Sequence, residues 1–363
     1  MVRWLLCAKP PHTEMKSNNR LRILVACHEL SVAGGLYRFE RFGRTIGEAG
    51  HELAFLALAD QPQTGFSSAF PVLGLADAAG VSWDATFIPG AGFPPETVER
   101  FSRLKSASFG LRVQHILNDP TRMLDFLRVN RLFEPDVVVV NNRHWTPAQL
   151  NEFTAGAIHV LEGAVDFETF RPRRLGADAR RRTGFVVGGQ AHKNVRPLIE
   201  AARLCGDDTH VHLMGPSIVA DVEASDLLSS GRLQLYGVLD DIGLLRFYDS
   251  VDCVAHTETS AGWANIAAEA MACGVPVVCT PPGTAAFAEH ERTALVVQDP
   301  TPQALAAAFN RLRSDHELAA RLARNAREQI QRFSWPAYSA RLLEVIRAGR
   351  EPGRTVSASS TWK

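Results

Sequence analysis

Two trains of short apolar runs, each alternating with segments of helical spacing, constrain this chain more than any other feature of its sequence. The first train begins at residues 21–27 (LRILVAC), a β-branched run that reads as a buried strand. A glycine turn, Gly34-Gly35, opens a helix over about 36–49. Leu36, Phe39, Gly43 and Ile46 share one face of it, which leaves Arg38, Arg41, Arg44 and Glu48 in water. Gly50 ends that helix and residues 52–58 read as the next strand. Strand, turn, helix and strand make a βαβ unit, which implies a parallel sheet. Residues 61–110 are rich in Gly, Pro and Ala and are expected as loops with one helix near 96–105. Strand patterns return at 111–117, 135–140 and 157–161, with a helix over 146–153.

The second train repeats the rhythm. Strands are expected at 185–187, 210–214, 233–236, 252–255 and 275–279, with helices at 194–204, 241–248 and 265–273. Helices over 302–312, 317–333 and 335–346 follow. Two α/β halves of similar size imply two doubly wound domains, in keeping with 363 residues at roughly 150 per domain. The change from apolar to arginine-rich sequence at 163–174 (GAVDFETFRPRR) marks the boundary. The expected division is a flexible leader over 1–20, a first domain over 21–165 and a second over 166–335. A terminal helix over 336–349 and a flexible tail over 350–363 complete it.

Charge and cysteine content exclude several classes. Lys plus Arg and Asp plus Glu both number 39, a net charge of zero that argues against a generally basic nucleic-acid binder. The six cysteines show no CxxC and no zinc spacing, as expected of reduced thiols in a cytoplasmic protein. No apolar run approaches the roughly 18–20 residues that cross a bilayer. The five-residue stretch 4–8 is too short for a signal peptide. Arg38, Arg41 and Arg44 leave peripheral membrane contact open, although a solvated helix face is the simpler reading.

Three segments carry chemistry. Gly34-Gly35 follows a strand and opens a helix, where bare N–H groups and the helix dipole suit a phosphate or carboxylate; a plain tight turn is the competing reading. In Gly188-Gly189-Gln190-Ala191-His192-Lys193-Asn194, Lys193 stands at a helix start, where a cation opposes the dipole unless an anion lies nearby. Asn194 is expected as that helix's N-cap. In 261–280 (AGWANIAAEAMACGVPVVCT), Glu269 is the single charged residue between Glu258 and Glu289. A carboxylate buried on such a helix costs several kcal/mol unless it is paired, so either an ion pair or a ligand with vicinal hydroxyls must satisfy it. Backbone N–H groups near Ala264, Asn265 and Ile266, after Gly262 and Trp263, offer a diphosphate site.

These residues resemble the family-4 glycosyltransferases (glycosyl transferases group 1). The resemblance covers most of 21–349 and is strongest over 185–297. Gly34-Gly35 and Gly50-His51-Glu52-Leu53 match its first domain, and Gly163-Ala164-Val165-Asp166 through Phe170 matches its linker. Residues 261–278 match its EGFGxxxxEAMAxGxPVV signature.

The resemblance implies the α/β GT-B architecture of two facing Rossmann-like domains. It also implies sugar transfer from a nucleotide diphosphate sugar to a glycan, lipid-linked or small-molecule acceptor, with retention of configuration and without a cofactor or metal ion. Glu269 would hold the donor ribose and Lys193 the diphosphate, these two being the catalytic candidates. Gly34, Gly35, Gly189, Gln190, Gly262, Trp263, Ala264, Asn265 and Ile266 would complete the donor site. Asn118, Asp119 and His115 are first-domain candidates at a strand end, as are His28 and His144, although a lone His is more often structural.

The sequence departs from the family at three places. Gly189 stands where members carry an Arg, Ala261 where they carry the first signature Glu, and Ala285 or Ala286 at another acidic position. A catalytically impaired nucleotide-sugar or glycan binder is therefore the second reading. A nicotinamide oxidoreductase is disfavoured because no GxGxxG follows 21–27.

Overall fold

The computed structural model describes residues 20–350, except 29, 32–33, 60–62, 65–67, 91–93, 121–122, 152–153, 155, 173–183, 192 and 216–224. Apart from Arg20 and Arg350, the expected leader and tail lie outside the described residues. The first train folds into strands β1 (Arg22–Cys27), β2 (Leu30–Ser31), β3 (Glu52–Ala57), β4 (Gln63–Thr64) and β5 (Val72–Leu73). Strands β6 (Ala85–Gly90), β7 (Leu111–Ile116), β8 (Val137–Val140) and β9 (Ala157–Val160) follow. Helices α1 (Gly34–Glu48), α2 (Leu75–Ala79), α3 (Pro95–Arg100), α4 (Met123–Phe133) and α5 (Pro147–Asn151) connect them.

The second train supplies β10 (Phe185–Gln190), β11 (Thr209–Met214), β12 (Leu233–Leu235), β13 (Cys253–His256), β14 (Val277–Cys279) and β15 (Leu295–Val296). Its helices are α6 (Arg196–Leu204), α7 (Ser225–Ser229), α8 (Asp241–Ser250), α9 (Asn265–Ala272), α10 (Pro302–Ser314), α11 (His316–Ile330) and α12 (Trp335–Arg350).

Each train makes one large all-parallel sheet, and β2 and β4 of the first train pair separately as a two-stranded parallel ladder. The first large sheet has the order β5-β3-β1-β6-β7-β8-β9 and the second β12-β11-β10-β13-β14-β15. In the first, the chain moves outward from β1 to β5, then returns to the other side of β1 with β6; in the second, β13 returns beside β10. The reversals place a crevice at the carboxyl ends of β1/β6 and of β10/β13, where α/β sheets take their ligands. Helices on both faces explain why strands such as Val137–Val140 are apolar without alternation. The result is the expected α/β architecture of two Rossmann-like sheets.

Several elements differ from the sequence reading. Strand β6 pairs directly with β1 although 61–110 reads as loops and one helix. Its sequence, ATFIPG, carries Pro89 and a threonine, Thr86, whose buried hydroxyl donates to the Phe109 carbonyl at 2.7 Å. Helix α4 and the short α7 and β15 are also additional to it. Helix α6 begins at Arg196 and not at 194. Asn194 takes a left-handed conformation (φ 47°) and donates its side-chain amide to the Thr257 carbonyl at 2.8 Å, so it is not the N-cap.

The chain crosses between the sheets twice, and the two crossings run side by side. The Val165 N–H donates to the Phe333 carbonyl at 2.7 Å, and Val165 bridges Ser334. Helix α12 then packs Tyr338, Leu342, Leu343 and Ile346 into the core of the first sheet, against residues that include Phe42 and Val113. Leu342 is fully buried there. Leu342→Ala is expected to lower the free energy of unfolding by about 2–5 kcal/mol, through lost burial plus the cavity left behind. Urea denaturation followed by tryptophan fluorescence and circular dichroism measures it.

Candidate active site

The reversals of strand order in the two sheets open onto one cavity of about 880 Å³. From the second sheet it is lined by Gln190 at the end of β10, Lys193 in the loop that follows, Glu258 after β13, residues 263–266 and Glu269 on α9. From the first-sheet side it receives Tyr37, Arg38 and Arg41 on α1, the turns that follow Gly34-Gly35. Ala164, Val165 and Asp166 of the crossing segment and Trp335 of α12 form its back.

Glu269 lies on a helix whose other residues from Ile266 to Ala272 are buried. Its Oε2 accepts a hydrogen bond from the Tyr248 hydroxyl at 2.6 Å, and among the described residues no Lys or Arg forms an ion pair with it. Burial pushes its carboxyl up to about 7, against the opposing hydrogen bond from Tyr248 and the charge of Arg41. Burial, and then the carboxylate beside it, hold the Tyr248 phenol well above its ordinary range, so the tyrosine stays a donor. One side of the carboxylate is thus braced while the residue borders open space.

Lys193 is pinned from below. The Thr257 hydroxyl donates to the Lys193 and Asn194 carbonyls, both at 3.0 Å, which ties the loop after β10 to the end of β13. The ammonium donates to Glu258 Oε2 at 2.9 Å. Glu258 therefore brings a carboxylate into the cavity three residues before Ala261, the position that is empty relative to the family pattern. Helix α9 has no side-chain cap, so its first N–H groups at Asn265 and Ile266 lack an intrahelical acceptor.

Several of the expected site residues are placed elsewhere or otherwise engaged. Gly189 faces the second-sheet core: a Cβ there would lie 2.8 Å from Leu198 Cδ2, so no donor contact comes from its side. The Ala264 N–H is consumed by the Gly283 carbonyl at 2.9 Å. Gly262 presses against the first domain, since a Cβ would lie 2.1 Å from the Leu117 carbonyl oxygen and 2.7 Å from the Asn141 amide. Its glycine serves the approach of the two halves. His115 is buried in the first-sheet core, its Nε2 2.7 Å from the Tyr338 hydroxyl. Burial, and then the charge of Arg38, hold its imidazole well below its ordinary range.

Asn118 and Asp119 follow β7 beside the Gly262 contact. The Asn118 carbonyl accepts from Asn142 Nδ2 at 3.1 Å and Trp145 Nε1 at 2.9 Å, and Asp119 is buried; neither borders the cavity. His28 Nδ1 is paired with the Thr97 hydroxyl, while His144 is exposed after β8. Gly34 and Gly35 open α1. Trp263 borders the cavity and meets Phe287 edge-on and Phe333 at a tilt, with Gly163 beneath its ring.

The sequence reading did not find Arg38, Arg41, Asp166, Asp241 and Tyr248 as site residues. Arg41 reaches across the cavity mouth to Asp166 and, at 2.6 Å, to Asp241 on α8. Arg38 is 9% exposed, not wet, because α12 packs Tyr338 against a helix face that helical spacing assigns to solvent. The linker match around Asp166 was the available signal for that acid; Tyr248, 21 residues before Glu269, had none.

Known proteins resemble this chain in sequence and in fold. Residues 166–329 match the family model described as Glycosyl transferases group 1. A D-inositol 3-phosphate glycosyltransferase of Corynebacterium urealyticum is 28% identical over 246 residues, which cover 59% of this chain and 57% of that protein. One from Salinispora arenicola is 29% identical over 246 residues, covering 58% and 54%. The chain thus spans about half the length of the curated relatives it matches.

Among solved structures, Anabaena Alr3699/HepE in complex with UDP superposes with a TM-score of 0.72 at 17% identity, covering 90% of this chain and 100% of that one. Sucrose-phosphate synthase from Thermosynechococcus elongatus gives 0.68 at 18% identity, covering 90% and 98%. These structural likenesses show the GT-B fold. No helix among the described residues is long and apolar enough to cross a membrane.

The Glu269 titration is testable without any ligand. Its folded carboxyl keeps a proton up to about 7, whereas an unfolded one releases it near 4.5. The folded state therefore binds more protons in that window, and the contribution is lost as pH rises through it. Thermal melts of ligand-free protein across this range are expected to show wild type losing stability relative to Glu269→Gln. A difference that stays constant with pH would contradict the buried, unpaired carboxyl.

Proposed function

We propose that this protein is a retaining glycosyltransferase that binds a nucleoside diphosphate sugar in the cavity and transfers the sugar without a metal ion. The observation that carries the reading is the meeting in one cavity of Lys193, from the loop after β10, with Glu269 and the uncapped start of α9. A carboxylate braced on one side by Tyr248 can accept from two vicinal ribose hydroxyls on the other. Lys193 and the N–H groups of Asn265 and Ile266 can then take the diphosphate, and the same charges offset the negative charge that grows on it as the anomeric bond breaks. UDP is the first nucleotide to examine, because it occupies the structurally similar HepE protein. The inositol phosphate in the names of the curated relatives makes a phosphorylated polyol a reasonable first acceptor.

UDP or another nucleoside diphosphate is expected to raise the melting temperature of wild type. Glu269→Ala and Lys193→Ala are each expected to weaken binding about tenfold or more, the scale of a lost charge-assisted contact. Hydrolysis or transfer from the matching sugar nucleotide should persist in EDTA and yield a product of unchanged anomeric configuration by NMR. If no common nucleoside diphosphate stabilises the protein, the donor-site reading fails. Ala261 favours one second reading, a binder that has lost turnover, which would show nucleotide binding with no donor cleavage.

A further inference from the structure

Three basic side chains border the cavity: Arg38, Arg41 and Lys193. Two of them are already balanced. Arg41 is held between Asp166 and Asp241, and Lys193 bonds Glu258. Of the other acids in the lining, Asp240 caps α8 by accepting from the Gly243 N–H at 2.7 Å, and Glu269 is bonded to Tyr248. Arg38 differs. Among the described residues no carboxylate pairs with it, and its Nη1 is buried without a hydrogen-bond partner.

Its surroundings hold the guanidinium in place without neutralising it. The group lies 5.6 Å from the centroid of the Tyr338 ring, and the Tyr338 hydroxyl is bonded in turn to His115, an imidazole kept uncharged by burial and by Arg38 itself. An aromatic face attracts a cation but supplies no countercharge. A guanidinium nine-tenths buried without an acid costs several kcal/mol, and it is most simply maintained where an incoming anion provides the missing charge. Its planar fork suits a phosphate or carboxylate oxygen pair in particular.

We propose that Arg38 is the first-domain seat for an oxyanion, a phosphate or carboxylate carried by the molecules that bind in the cavity. The proposal rests on the cavity being a substrate site. It gives the first sheet a charge-bearing role opposite Lys193, and it supplies from α1 a cation that position 189, turned into the core, cannot supply. Two sources share this chemistry: the donor's diphosphate and an anionic group on the acceptor.

Calorimetric titration separates them, using UDP on the free protein and inorganic phosphate on the protein both free and saturated with UDP. If the donor is the source, Arg38→Gln is expected to weaken UDP binding about tenfold or more while leaving uridine binding unchanged. If the acceptor is the source, UDP affinity is unchanged, and wild type binds inorganic phosphate where Arg38→Gln does not. Equal behaviour of the two proteins in both titrations overturns the proposal, and continued UDP binding would then leave the donor-site reading intact. Phosphate binding that depends on Arg38 in a protein that takes up no nucleotide would do the reverse. Should the glutamine variant not fold, Arg38→Lys serves the same comparison, with intermediate affinity expected and wild-type affinity overturning the proposal.

Discussion

The two halves of the chain approach each other beside the cavity too closely for side chains at two glycines. Gly262, in the loop that leads into α9, lies so close to the carbonyl of Leu117 that any side chain would collide with it. Gly163, in the first crossing segment, lies equally close under the ring of Trp263. Both contacts exclude even a methyl group, and neither residue has a side chain with which to do chemistry. What they set is the position of α9, and with it Glu269, relative to α1 and the end of the first sheet.

Charge is distributed around that space in a way that follows from solvation. Ionised groups that face a partly buried cavity must find partners, and most do so within the chain. Arg41 links the first domain to Asp166 in the crossing segment and to Asp241 in the second domain, so its ion pairs also tie the two halves across the cavity mouth. Lys193 and Glu258 settle against each other at the switch point of the second sheet. Glu269 and Arg38 are the exceptions, one acid and one base reaching the cavity from opposite domains. The acid responds by holding its proton to about 7, a route closed to a guanidinium.

Much of this was legible along the chain. The apolar runs located nearly every strand of the second sheet, and the isolated charge in 261–280 singled out Glu269. Strand β6 was hidden by Pro89 and Gly90, which read as turn residues even where tertiary packing pairs the strand with β1. Gly189 illustrates a different limit. Its place before Lys193 suggested the cleft, but the side-chain direction of a strand alternates, and at position 189 it points toward Leu198.

Local sequence by itself determined the two parallel sheets, because hydrophobic period and glycine punctuation are properties of neighbouring residues. It also determined that one acid would lie on an otherwise apolar helix. The tertiary structure alone decided which polar groups meet. Tyr248 reaches Glu269, Glu258 reaches Lys193, and α12 folds back to bury an arginine whose helix position reads as solvent-facing. Such pairings depend on the relative placement of elements tens or hundreds of residues apart, and no periodicity within a single element encodes that distance.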